Sequence, residues 1–248
     1  MRGEPRLPDQ PPKSSDIFTY LHAQIPVRCY EHIAIVHRGD SSTPWEAEFL
    51  REGLARGEWC CCLASAELHE AMIASLHELG ADPGRHQQNQ TLRFLAEAQE
   101  ISDLLERARS FFSSAEAARA PAVRWLEAGI WANPPGIFAP QFFELHARLN
   151  YLVKTYPSVA LCEYNSDKME VPQIFSAIAV HRHLLVEGTL VRDNPFYIPA
   201  EKFLAMNPED RERDLRDVFR EVGFDLEKLF SILAGYGQLQ GPLPGTPK

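Results

Sequence analysis

Cys162 lies in the stretch LCEYN, close to the end of an apolar run. A thiol there is a nucleophile only if a base stands within hydrogen-bond reach and lowers its pKa. His32, His181 and His183 are the available imidazoles for that role. His181 and His183 are two residues apart, so in a strand they would share one face and could bind a metal. At a helix terminus the same pair would simply complement the negative end of the dipole. Glu127 and Glu144 have the chemistry of an acid/base pair, although no spacing brings them together. Glu144 has an intrahelical partner in Arg148 four residues on. Tyr164 and Glu163 must alternate faces around Cys162. Trp125 and Trp131 suit a core as well as a ligand cage, and Trp131 precedes a loop that can face a cleft.

Several chemistries are missing. The loop after the first apolar strand, RGDSSTPWE, has one glycine and no lysine, so it cannot cradle a triphosphate as GxxxxGK[ST] does. There is no GxGxxG, and CCC is neither CxxC nor part of a zinc spacing; HExxH is also absent. The spacing therefore predicts no metal site, no cofactor and no nucleotide hydrolysis.

The elements that would position these residues alternate in hydrophobic period. Short apolar runs, HIAIVH at 32–37, WCCCLA at 59–64, a shorter run at 91–96, AVRWLEA at 122–128 and SVALCEY at 158–164, read as strands. Amphipathic stretches at 44–56, 67–79, 97–118, 140–156 and 172–181 read as helices. Ser42 or Thr43 can cap the first, and Gly57 and Gly80 stop the first two. Residues 184–190 and 194–198 read as a closing strand and its exit. Strands apolar on both faces, alternating with helices, predict an α/β protein with a three-layer, mostly parallel sheet.

Residues 1–15 are Pro-rich and polar and predict a disordered lead-in; the main domain is expected over 16–199. A charged helical extension is expected over 200–236, with Leu215, Phe219, Val222, Leu226 and Phe230 as its apolar positions. A flexible tail is expected over 237–248. The net charge of −9 argues against a nucleic-acid binder. The N-terminus lacks an apolar signal core, and no run approaches a membrane span. Five cysteines, three of them adjacent, suit a reducing compartment with free, buried thiols, so a cytoplasmic location is expected.

Taken together, HIAIVH, FLREGLARGEWCCCLAS, VRWLEAGIW, FELHARLNYL, ALCEYN and DNPFYIP resemble, in order and spacing, the MEDS domain, the sensory domain of methanogen/methylotroph and dichloromethane-repressor-type regulators. The resemblance implies a RecA/KaiC-like fold that has lost its phosphate loop. It also implies a sensor of small hydrocarbon-derived molecules. The positions matching recurrent family residues are His32, Trp131, Glu144, Asn150, Cys162, Tyr164, Asn194, Pro195 and Tyr197. His181 and His183 are alternative counterparts of one family histidine, and Glu127 stands one place before the family's acidic position.

Three functions follow as expectations. The first is a non-catalytic sensory module that binds a small organic ligand, signals to a partner protein and is compatible with a homodimer. The second is a degenerate ATPase-fold interaction module that engages a kinase, an anti-sigma factor or a transcription regulator through residues 199–236. The third is a thiol enzyme built on Cys162.

Overall fold

The computed structural model describes residues 16–39, 44–96, 101–128 and 140–240. Trp131, the capping residues Ser42 and Thr43, the lead-in and the last eight residues lie outside them.

The chain opens with an antiparallel hairpin, β1 (Ile17–Leu21) and β2 (Ile25–Arg28), which the sequence reading did not anticipate. HIAIVH forms β3 (His32–His37), followed by helix α1 (Pro44–Ala55) and β4 (Trp59–Leu63). Helix α2 (Ala66–Glu78) starts where the Ser65 side chain accepts from the Leu68 N–H, satisfying one of the orphan donors of a helix start. A short α3 (Pro83–Gln88) leads to β5 (Leu92–Leu95) and α4 (Ile101–Ala117). Then come β6 (Val123–Glu127), α5 (Pro140–Thr155), β7 (Ser158–Asn165) and α6 (Val171–Val180). The single closing strand expected over 184–190 is instead a hairpin, β8 (His183–Val186) and β9 (Thr189–Val191). Its two turn residues, Glu187 and Gly188, both have positive φ (47° and 77°), the geometry that two-residue hairpin turns require.

The sheet order is β5-β4-β6-β7-β3-β8-β9, and every pairing is parallel except β8 with β9. The expected three-layer α/β class is therefore observed. One face packs on α1, α2 and the first hairpin. The other packs on α4, α5 and α6. The three adjacent cysteines follow the pleat: Cys60 and Cys62 enter the first core and Cys61 the second. All five cysteines are free and buried.

The C-terminal segment forms α7 (Ala200–Ala205), α8 (Pro208–Val218) and α9 (Leu226–Gln240). These helices complete the second core rather than standing off it, because Phe203, Phe219, Val222, Leu229, Phe230 and Leu233 are all buried there. Helix α9 also runs through residues 237–240, where a flexible tail was expected. It lies close against the edge hairpin: a Cβ on Gly237 would come within 2.4 Å of Thr189 Cγ2.

At the carboxyl edge, Gly39 N–H donates to Asp167 Oδ2 at 2.7 Å, so this backbone donor faces a carboxylate. Nearby, His37 Nε2 lies 3.2 Å from Glu163 Oε1. That carboxylate raises the His37 pKa above its ordinary 6.5 against the opposing effect of burial. The pair's stabilisation, about 0.5–1 kcal/mol, is complete below the unfolded pKa and is lost as pH rises through the higher folded value. Urea melts from pH 5.5 to 8.5 should show this slope, and His37→Gln should remove it.

Candidate functional site

The described candidates converge on the buried layer between the sheet and helices α5 and α6. His32 is the first residue of β3, and Cys162 lies on neighbouring β7, one pleat further along the same face. His32 Nε2 stands 3.2 Å from Cys162 Sγ. His181 follows α6 and brings its Nε2 to 3.0 Å from His32 Nε2. From α5, His146 closes the group, its ring centroid 5.2 Å from that of His181 and 5.9 Å from that of His32. One ligand atom from each of His32, His146, Cys162 and His181 lies within 4.8 Å of all the others, and all four residues are buried. Such a set can hold a transition metal or, without one, a chain of neutral imidazoles and a thiol.

Surrounding residues hold these side chains in place. Asn150, one helical turn after His146, donates from Nδ2 to the carbonyls of His146 and Val180 at 3.1 and 3.0 Å. Its Oδ1 therefore faces His32 Nδ1, 3.1 Å away, and must accept from it. His181 Nδ1 donates to the Ala177 carbonyl at 2.7 Å. Asn194 donates to the carbonyls of Ile178 and His181 at 2.8 and 3.0 Å, which fixes the end of α6. Tyr164 packs edge-on against the rings of His146 and His181. Glu127 is fully buried, accepts from Trp125 Nε1 at 2.8 Å, and its Oε2 lies 3.5 Å from His146 Nε2.

Burial dominates the electrostatics. It drives the His32 pKa down to about 3, with the neighbouring His146 adding to the shift, and it holds His146 and His181 well below the ordinary range. It pushes the Glu127 carboxyl up to about 7, and the Cys162 thiol and Tyr164 phenol well above their usual values. A thiol enzyme needs a lowered pKa at the nucleophile, and Cys162 is shifted the other way.

A cleft of about 420 Å³ opens beside this group, lined by Arg28, His32, Asn150, Lys154, His183 and Tyr197 among others. It lies at the amino end of the sheet, where β3 and β8 begin. Open parallel sheets of this kind commonly bind ligands at the opposite, carboxyl edge. Tyr197 also approaches the backbone through its hydroxyl, which accepts from Ala200 N–H at 3.3 Å. Of the two alternative histidines, His181 belongs to the buried group and His183 to the cleft wall.

Glu144 is not brought in. It lies on the outer side of α5 and binds Arg148 and Arg211. His146 is the residue that the sequence reading passed over. Its signal was a histidine three residues from both Phe143 and Leu149, on the apolar stripe of an amphipathic helix.

A mostly parallel α/β sheet flanked by helices on both faces, with buried polar residues gathered beside a cleft, defines the class of fold. Residues 31–182, more than half of the chain, match the sequence profile of MEDS, the MEthanogen/methylotroph, DcmR Sensory domain. The chain belongs to this family of sensory domains. Among solved structures it is similar to PH0321 from Pyrococcus horikoshii, an uncharacterized protein in complex with an unknown peptide. That likeness has 13% identity and a TM-score of 0.51, and covers 64% of this chain and 78% of that one. It is also similar to the KaiC-like protein PH0186 from Pyrococcus horikoshii OT3, at 13% identity and a TM-score of 0.44, over 64% of this chain and 71% of that one. Among curated proteins none matches in sequence. Sheet order and the first of these structures bear out the three-layer, mostly parallel α/β class. Among the described residues no helix is long and apolar enough to cross a membrane.

Proposed function

We propose that this chain is a non-catalytic sensory module that takes a small organic ligand in the cleft at the amino end of β3 and β8. It passes the signal to a partner protein. One observation carries the reading: His32 is at once part of the cleft wall and a member of the buried His/Cys group. A ligand touching that wall would press on the residue that joins β3, β7, α5 and α6. Membership in a sensory-domain family supports the role. The raised Cys162 pKa supports a non-catalytic reading.

The cleft also suggests the chemistry of its occupant. Arg28 and Lys154 line it and form no carboxylate ion pair among the described residues, whereas Arg192 is paired with Glu31 and Arg182 with Asp193. A short hydrocarbon chain ending in an acidic or strongly polar group fits two such cations. In a thermal-shift panel of short-chain carboxylates, alcohols and halogenated hydrocarbons, the acids should stabilise the chain most. Lys154→Ala should weaken that effect about tenfold or more. A panel with no hit, or hits indifferent to Lys154→Ala and Arg28→Ala, would remove the cleft from consideration.

A second reading rests on a larger apolar groove of about 750 Å³ between α5, α6 and α8, lined by Phe143, Phe175, Phe203, Leu215 and Phe224. An uncharged hydrocarbon derivative would prefer it. Stabilisation by such compounds that disappears in Leu215→Gln and survives Lys154→Ala would favour this groove over the cleft.

A further inference from the structure

The buried histidines carry an arrangement that hydrogen bonding alone does not explain. Asn150 uses both Nδ2 protons on carbonyl oxygens, so only its Oδ1 remains for His32, and His32 must carry its proton on Nδ1. His181 must likewise carry its proton on Nδ1, because the group it meets there is the Ala177 carbonyl. Both rings then point bare Nε2 lone pairs at one another across 3.0 Å. Two acceptors at that distance repel unless something positive lies between them. Cys162 can offer its S–H to His32 Nε2, 3.2 Å away, but one thiol proton cannot serve both nitrogens.

We infer that His32, His146, Cys162 and His181 form a four-coordinate site for one divalent transition-metal ion of the zinc class. Three imidazole nitrogens and one thiolate make a closed tetrahedral set of borderline softness, which suits zinc and its cobalt substitute better than magnesium or calcium. Bond lengths of roughly 2.0–2.3 Å would place ligand atoms roughly 3.3–3.7 Å apart, so a group now spread over as much as 4.8 Å would close by about an ångström at its widest pair through side-chain rotation. The second shell is of the kind metal sites use. Asn150 and the Ala177 carbonyl orient two of the imidazoles, and the Glu127 carboxylate lies against the third, 3.5 Å from His146 Nε2. On binding, the Cys162 S–H proton is released to solvent and the thiolate becomes the ligand. The thiolate and the Glu127 carboxylate together balance the ion's two positive charges inside a dry core.

The four ligands come from β3, α5, β7 and the end of α6. A bound ion would lock the sheet to its helical layer, with His32 reporting to the cleft wall. The site stands whether or not the cleft takes an organic ligand.

The test uses the full chain, stripped of metal under reducing conditions and titrated with Co²⁺ and with Zn²⁺. One Co²⁺ per chain should bind, with a thiolate-to-cobalt charge-transfer band and the intense visible absorption of tetrahedral cobalt. X-ray absorption should show one sulfur and three nitrogen neighbours. Zinc at a thousandfold excess over its Kd should raise Tm by roughly 10 °C. Cys162→Ser should abolish the charge-transfer band and lower affinity by at least about 100-fold, whereas Cys29→Ser should change neither. A folded chain that shows no such band on titration with Co²⁺ overturns the site, as does a band that persists in Cys162→Ser. Should Cys162→Ser fail to fold, the wild-type X-ray absorption decides alone: any first shell other than one sulfur with three nitrogens refutes the assignment.

Discussion

A chain ending at residue 199 is expected not to hold its fold. Residues 200–236 read in sequence as a charged helical extension, but six of their apolar side chains lie inside the core. Phe219 packs edge-on against Phe175, with ring centroids 4.5 Å apart, and stacks on Phe196 at 4.9 Å. Phe203, Val222, Leu229, Phe230 and Leu233 continue the same layer, and α9 covers the edge strand β9. At roughly 1.5–3 kcal/mol for each buried side chain, their joint loss is about 10 kcal/mol or more. That is comparable with the entire stability of a typical domain, ~5–15 kcal/mol. The truncated chain should therefore lack a cooperative urea transition. The point version is Phe219→Ala, expected to cost about 3–5 kcal/mol. Recovery of a truncated protein with a sharp melt would show that the C-terminal helices are an accessory after all.

The second large effect centres on Arg124. This residue is wholly buried in β6, on the face opposite the histidine group, in a strand that reads as apolar in sequence. Its Nε donates to Glu58 Oε2 at 2.5 Å, and Nη1 donates to the Phe49 carbonyl at 2.7 Å and to Glu52 Oε2 at 3.0 Å. The guanidinium also lies 4.7 Å from the Phe49 ring centroid and 5.1 Å from that of Phe18. Gly53 on α1 makes the room: a Cβ there would come within 2.6 Å of Arg124 Cδ.

Arg124→Met should lower stability by about 3–5 kcal/mol, because it leaves the buried Glu58 with only the exposed Arg56, 3.9 Å away, as counter-charge. Burial already raises the Glu58 pKa, with Arg124 opposing that shift, so the variant should lose stability further as pH rises and the stranded carboxyl ionises. Replacing both partners, Arg124→Met with Glu58→Leu, should recover most of the loss, because an apolar pair of similar volume has no charge to strand. Urea denaturation of the two single variants and the double variant measures the coupling. A double variant no more stable than Arg124→Met would mean that packing, not charge, is the main contribution of Arg124.

Much of the fold was legible because its signals are local. Apolar runs and period-3.6 patterns located β3, β4, β5, β6 and β7 and the longer helices between them, within a few residues. The missing phosphate loop was equally plain, since that chemistry needs its glycines and lysine contiguous. The short elements escaped: β1, β2 and α3 carry too few residues to show a period, and the β8–β9 turn rests on Glu187 adopting a left-handed conformation that its residue type does not advertise. Glu144 illustrates the converse. It matched a recurrent family position, yet its neighbours Arg148 and Arg211 draw it away from the buried group.

By itself the sequence determined an α/β protein of the sensory family, without a GxxxxGK[ST] phosphate loop, because residue type and near-neighbour spacing suffice for that. Only the tertiary structure decided that His32, His146, Cys162 and His181 share one small volume, and that the cleft beside them opens at the amino rather than the carboxyl edge of the sheet. The physical reason is that parallel strand order is made by long-range crossovers. Residues more than a hundred positions apart, such as His32 and Cys162, become neighbours through β3–β7 pairing, which no local pattern in the chain encodes.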